Sequence, residues 1–347
     1  MTDTPEVPHT PTDPPVAPDV PSVEPVLSIR DLNVAYRGRD GSVPAVRGLS
    51  LDLYPGEVLT LVGESGSGKS TVGHAILGLL PSTADVRGDV IFQGQRLADL
   101  TAAEFRRLRG NRIGVIFQDA LAALTPTMTV GEQLLELYDA HTTFTPAEAR
   151  AAALEAIAEA FADPQHIFDL HPFHLSGGMA QRVMITMATA LKPDIIIADE
   201  PTSSLDPAIR NDTLERIEQI RDSGTAVLLI THDFGVVARI ADRVNVMYAG
   251  VIVEDAAVRT VFRVPRHPYT YGLLRSIPSI AARGQLTPMR GNPPDMEALG
   301  PECPFLPRCN KAIAVCRTDP APRLTQMDTV PGHLAACYNP IAVPLRD

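Results

Sequence analysis

Three short segments of this 347-residue chain carry residue types that act on phosphates. Gly63-Glu-Ser65-Gly66-Ser-Gly68-Lys69-Ser70 fits the complete phosphate-loop pattern. Its glycines permit tight turns and let backbone N–H groups and the following helix start approach the anionic oxygens. Lys69 has the reach to address the β- and γ-phosphates, and the Ser70 hydroxyl is a magnesium ligand. Ile195-Ile-Ile-Ala-Asp199-Glu200 is an apolar run ending in an acidic pair. Asp199 is suited to hold Mg2+, directly or through water, and Glu200 to polarise an attacking water. Leu175-Ser176-Gly177-Gly178-Met179 opens a helical stretch and forms a second anion-binding helix start. Alone, each has a plainer explanation: an accidental glycine turn, a helix-capping acidic pair, an ordinary N-cap. Their order favours the chemical reading, since the serine-glycine turn stands about 20 residues before the acidic strand, as a nucleotide-sandwich ATPase needs.

These groups need a frame. Strand alternation begins at Val26–Arg30, and the run Glu57–Val62 leads straight into the phosphate loop. Helical spacing follows over Thr71–Leu80, so the order is strand, loop, helix. Residues 88–96 read as strand and turn, and 101–109 as a basic helix. Residues 131–190 are mostly helical by pattern. Strand signals return at 195–198, 227–230 and 244–247, with helical stretches between them. Such alternation predicts an α/β, largely parallel sheet interrupted by a helical insert of about 70 residues. Beyond Phe262 prolines recur, and a boundary near 260 separates an accessory region with little regular structure. Met1–Pro25 is rich in Pro, Asp, Thr and Val and reads as a disordered tail.

Charge narrows the function classes. The net charge is −11, from 30 basic and 41 acidic residues, which argues against gripping a nucleic-acid backbone. No run of 18 apolar residues occurs, and the N-terminus lacks the basic and apolar regions of a secretory signal.

With these motifs in this order, the chain resembles the ATP-binding cassette superfamily. Gln118 in Ile-Phe-Gln-Asp, Ser204-Leu205-Asp206 and His232 in Thr-His-Asp fall where that family has them. The resemblance implies a RecA-like P-loop NTPase core with a mixed sheet, a helical signature subdomain (about 120–190 within a nucleotide-binding domain over 26–260), and a small irregular cysteine-containing region over 261–347. It also implies two cassettes paired head to tail, each ATP lying between one phosphate loop and the partner's Ser176, Gly177 and Gly178. Carried over residue by residue, Gly63, Ser65, Gly66, Gly68, Lys69, Ser70 and Thr71 hold the phosphates. Ser70, Gln118 and Asp199 serve Mg2+, and Gln118 also couples to membrane subunits. Glu200 is the general base, His232 contacts the γ-phosphate, and Asp206 lies at the cassette contact. Tyr36 stacks on adenine rather than serving only as a packed strand residue.

The motifs Leu124-Thr-Pro-Thr-Met-Thr-Val-Gly-Glu-Gln133, Gly177–Met184 and Arg266-His-Pro-Tyr-Thr270 are similar to the oligopeptide/dipeptide importer branch. The chain departs from that branch at Ala120, Thr125 and Ala180, none of them a catalytic position. Membership implies a peripheral subunit on the cytoplasmic face of a bacterial membrane. It implies a second cassette chain (a heterodimer), two transmembrane permeases and an extracytoplasmic solute-binding protein as partners, and no nucleic acid. A soluble ATPase switch on ribosomes or DNA is the rival class, but one cassette without sustained heptads speaks against it. A non-hydrolysing regulatory cassette conflicts with the intact catalytic positions.

Cys303, Cys309, Cys316 and Cys337 are spaced C-x5-C-x6-C-x20-C, wider than usual zinc knuckles. Four thiolates suit a [4Fe–4S] cluster or zinc, and unmetallated thiols are the plain alternative. The branch's Cys-Pro-Phe-x-Pro-Arg-Cys pattern ranks [4Fe–4S] first, in a structural role.

Overall fold

The structure is a computed structural model and describes residues 23–38, 41–203, 205–277, 289–327 and 330–342. Residues 1–22 of the expected tail, and Ser204, lie outside the described residues.

The strands are β1 (Leu27–Arg37), β2 (Ser42–Leu53), β3 (Val58–Val62), β4 (Ala84–Phe92), β5 (Gln95–Arg96), β6 (Ile113–Ile116), β7 (Ile195–Asp199), β8 (Ala226–Thr231), β9 (Arg243–Tyr248), β10 (Val251–Ala257), β11 (Thr325–Gln326) and β12 (Leu334–Ala335). The helices are α1 (Lys69–Ile76), α2 (Ala102–Leu108), α3 (Ala120–Ala123), α4 (Val130–His141), α5 (Pro146–Ala158), α6 (Pro164–Asp169), α7 (Gly177–Thr189), α8 (Pro207–Asp222), α9 (Phe234–Ile240), α10 (Val258–Arg263), α11 (Pro268–Arg275) and α12 (Val315–Thr318).

An eight-stranded mixed sheet runs β11-β12-β10-β9-β3-β8-β7-β6. From β9 to β6 it is parallel, and β10, β12 and β11 continue it antiparallel. β3 and β8 are buried along their whole length, the mark of strands covered on both faces. A separate antiparallel sheet, β2-β1-β4-β5, packs its apolar residues (Leu27, Ile29, Leu49, Phe92) with α1 residues Val72 and Ile76 and with Leu59 and Leu61 of β3.

Helices α3 to α7 form the insert between β6 and β7 and share an apolar core around Leu134, Ile157, Phe168 and Val183. The starts of α2, α4 and α5 follow local chemistry. Thr101, Thr129 and Thr145 each cap a helix whose third residue is Glu104, Glu132 or Glu148, and each pair closes a reciprocal capping box. Each box satisfies two otherwise orphaned amides and contributes about 1 kcal/mol.

After α11, the described residues 289–327 and 330–342 hold little regular structure. This part of the chain is nonetheless pinned to the main sheet through β12 and by the buried carboxylate of Glu254. That carboxylate accepts from the backbone N–H of Arg266 at 2.7 Å and of His267 at 2.8 Å, and meets His333 Nε2 at 2.8 Å. A buried carboxylate is tolerable only with such a donor set.

Candidate nucleotide site

Four neighbouring parallel strands deliver the site. The registers Val62↔Thr231, Asp199↔Ile230 and Ile116↔Ala198 align the C-terminal ends of β3, β8, β7 and β6. The next residues along each strand are the phosphate loop after β3, His232 after β8, Glu200 after β7, and Gln118 two positions beyond β6. In open α/β sheets this is the edge where ligands bind.

The loop Gly63–Gly68 joins β3 to α1. Gly68 is the N-cap of α1 at φ 99°, and a Cβ there would fall 2.2 Å from the Ala45 carbonyl oxygen, so no larger residue fits. Gly63 is buried, while Ser65 and Gly66 are exposed at the loop crest. Lys69 is only 6% exposed. Its Nζ donates to the carbonyls of Gly63 at 2.8 Å and Glu64 at 2.9 Å. Burial lowers its pKa, while Glu200, Asp199 and Glu64 pull the other way. Ser70 Oγ donates to Asp199 Oδ1 at 3.1 Å. Burial raises the Asp199 pKa, opposed by that hydrogen bond and reinforced by Glu200. A hydroxyl and a carboxylate side by side are the hard oxygen donors that Mg2+ takes, and Mg2+ needs only one or two from protein when phosphates supply others.

Glu200 sits at φ 48°, a left-handed conformation that costs a non-glycine residue about 1–3 kcal/mol. The strain is held by its N–H donating to the Ile230 carbonyl at 2.8 Å. Its carboxylate lies 2.7 Å from His232 Nδ1 and accepts from the Thr231 hydroxyl at 3.4 Å. The Glu200 side chain is 13% exposed against 59% for His232, so the carboxylate is sheltered and the imidazole faces outward. Tyr36, at the end of β1, is tied to α1 by its hydroxyl, 3.3 Å from Thr71 Oγ1.

The serine-glycine turn stands apart. Ser176 and Gly177 are exposed, and Ser176 Oγ accepts from the Met179 N–H at 3.3 Å as the N-cap of α7. A Cβ on Gly178 would lie 2.2 Å from Ile209 Cδ1, so this turn is seated on the first turn of α8. Asp206 is the N-cap there, accepting from the N–H groups of Ala208 and Ile209 at 3.0 and 3.1 Å. No hydrogen bond joins Ser176–Gly178 to the 63–71 loop among the described residues. Ala180, where the resemblance has arginine, is fully buried.

The four cysteines line one cavity together with His267, Phe305, Leu306 and Pro322. They are free thiols, and burial raises the pKa of Cys303 and Cys309 and takes Cys337 up to about 11. Among the described residues, however, no three His, Cys, Asp or Glu side chains are arranged to hold a metal ion. The donor chemistry expected for [4Fe–4S] is present, but the liganding arrangement is not.

The residues that sequence reasoning left without a role are Glu64, Tyr269 and Arg308. Tyr269 accepts the Glu64 N–H at 3.0 Å, and Arg308 pairs with the Glu64 carboxylate at 2.8 Å. The motifs containing Tyr269 and Arg308 are visible in the sequence, but their target lies about two hundred residues away, at a separation of 205 for Tyr269 and 244 for Arg308.

Comparison with known proteins agrees with this geometry. Residues 46–203 match the ABC transporter family, and residues 253–316 match the oligopeptide/dipeptide transporter C-terminal region. The chain is 45% identical to the dipeptide transport ATP-binding protein DppD of Bacillus subtilis, over 85% of this chain and 89% of that protein. It is 40% identical to the oligopeptide transport ATP-binding protein OppD of Escherichia coli, over 91% and 94%. The OppD proteins of Mycobacterium tuberculosis and Mycobacterium bovis are 45% identical over 91% of this chain, which spans about half their length, 52%. Among solved structures, a dimeric ATP-binding cassette in a post-hydrolysis state with ADP and Pi superposes with a TM-score of 0.61 at 28% identity, over 67% of this chain and 99% of that one.

Proposed function

Because the chain belongs to the ATP-binding cassette family, in its oligopeptide/dipeptide transporter branch, we propose that it binds and hydrolyses Mg-ATP to power uptake of oligopeptides, dipeptides or a related solute. The observation that carries this is the convergence of Lys69 and Ser70, at the helix start after β3, with Asp199, Glu200 and His232 at the ends of the neighbouring strands β7 and β8. Each has work in an in-line attack of water on the γ-phosphate. Lys69 neutralises phosphate charge, and Ser70 and Asp199 would hold Mg2+, which would supply further charge neutralisation. Glu200 takes the proton of the attacking water, and its hydrogen bond to His232 Nδ1 orients both side chains.

The chain pairs head to tail with a second cassette, so that its exposed Ser176–Gly178 helix start and Asp206 face the partner's loop. The second cassette is a different chain, and the pair works beneath two transmembrane permeases supplied by an extracytoplasmic binding protein. What supports this is the relatives' naming as peptide transport ATP-binding proteins and the dimeric cassette neighbour. The same naming disfavours a soluble switch on ribosome or DNA. The chain sits peripherally on the cytoplasmic face of the membrane. No helix among the described residues is long and apolar enough to cross a membrane. The division into a nucleotide-binding domain over 26–260 and an accessory region over 261–347 belongs to the same reading.

For the cysteines the proposal is a [4Fe–4S] cluster of structural role, supported by four thiols on one cavity. Iron and sulfide analysis after anaerobic purification tests it, and zinc alone or no metal refutes it. The central test is ATP hydrolysis by the purified chain with and without its copurified partners. Absence of Mg-dependent turnover in both settings refutes the reading.

A further inference from the structure

Glu64 is the second residue of the phosphate loop, and the hydrolysis scheme gives it no work. It is nevertheless held at three points. Its N–H donates to the Tyr269 hydroxyl at 3.0 Å, and its carbonyl accepts from Lys69 Nζ at 2.9 Å. Its carboxylate receives both terminal nitrogens of Arg308, at 2.8 and 3.0 Å. Arg308 is itself fixed. Its side chain is 5% exposed, its Nε donates to the Arg290 carbonyl at 3.1 Å, and its Nη1 also donates to the Tyr248 hydroxyl at 3.3 Å. The guanidinium lies 5.7 Å from the Tyr248 ring and 5.9 Å from the Phe305 ring. A partly buried, two-pronged pair whose arginine packs on aromatic rings sets the geometry of both partners, unlike an exposed ion pair.

The electrostatic need is plain. A loop that receives a polyphosphate carries a carboxylate of its own. Left unpaired, that charge repels the ligand and competes for Lys69, whose ammonium already feels it. We propose that Arg308 and Tyr269 are positioning residues for the nucleotide: they neutralise Glu64 and fix its peptide unit, leaving Lys69 and the loop amides to the phosphates. The C-terminal region is thereby part of the nucleotide site, acting through Glu64. Arg308 immediately precedes Cys309, which ties the four-cysteine cavity to the phosphate loop through one peptide bond. This inference rests on the ATP-binding reading above.

The test is equilibrium binding of a fluorescent ATP analogue with Mg2+ to the full chain, alongside steady-state hydrolysis. Arg308→Ala is expected to raise the Kd about tenfold or more, since hydrogen bonds to charged groups are lost and a carboxylate is left unpaired. KM should rise more than kcat falls. Adding Glu64→Gln to Arg308→Ala should recover most of the affinity, because the unpaired charge is gone. Arg308→Lys should lie between, and Tyr269→Phe should weaken binding about threefold. A merely structural arginine predicts no rescue by Glu64→Gln. The inference is overturned if Arg308→Ala binds like the parent, or if its weakened binding persists in the double variant. If the parent binds ATP and Lys69→Ala does not, such a result sinks only the positioning role. If the parent fails to bind at all, the reading beneath it falls too.

Discussion

The chain has two helices that begin in glycine and serine, and they are furnished differently. The start of α1 lies under a closed loop with Lys69 buried, Ser70 on Asp199 and Tyr36 tied to Thr71. The start of α7 is an exposed turn whose serine caps its own helix and, among the described residues, makes no hydrogen bond to the loop. The first is complete within the chain. The second is seated closely on α8, through Gly178 on Ile209, and leaves Ser176 and Gly177 exposed. The difference teaches that one chain carries two unlike helix starts, and the pairing proposed above would bring the exposed one of one cassette to the closed loop of another.

The largest blow to that comparison comes at the complete half. Lys69→Ala should abolish Mg-ATP turnover, by about a thousandfold or more, and normal activity would show that α1 is not the phosphate site. Glu200→Gln should slow turnover by roughly 10^2 to 10^4 and let ATP-bound pairs accumulate, visible by size-exclusion chromatography. Wild-type turnover would remove Glu200 as base. Ser176→Arg sharpens the contrast. It should leave ATP affinity of the isolated chain nearly unchanged while lowering turnover of the paired cassettes about tenfold or more. Equal loss of both would mean that α7 serves its own chain's loop.

The smallest effect concerns Asp199. Its folded pKa lies above that of an unfolded aspartate, because burial disfavours the charge. The ionised carboxylate therefore destabilises the nucleotide-free fold at pH values above its folded pKa, and that penalty disappears as pH falls below the unfolded value. Asp199→Asn should raise thermal stability at neutral pH by up to about 1 kcal/mol, with the gain vanishing near pH 4, and should weaken Mg-ATP binding. A stability loss at neutral pH would contradict the burial argument.

Much of the complete half is legible in the sequence, because its strands are short apolar runs ending directly in chemical groups. Ile195–Ala198 before Asp199-Glu200 needs no tertiary information to be read. The Thr-x-x-Glu helix starts are equally local. The antiparallel sheet is harder. Two of its strands leave signals at 26–30 and 88–96, but β2 alternates weakly and its pairing with β1 carries register shifts that no local pattern announces. The Arg308–Glu64 pair is illegible for a similar reason: a charge pair of long sequence separation has no periodicity. The cysteines show the converse. Their pattern is conspicuous and their shared cavity real, yet among the described residues they form no metal-holding group, which spacing alone does not announce.

The pairing of β12 with Glu254 and Asp255 covers part of one flank of β10. Bare, that seven-residue strand, with Ile252, Val253 and Ala256 buried, would offer open amides and carbonyls to any neighbouring molecule. The proline-rich extension thus occupies backbone groups of an edge that a neighbouring molecule could otherwise pair with. Shortening the chain before residue 320 would be expected to yield a sticky, precipitating cassette rather than a smaller well-behaved one.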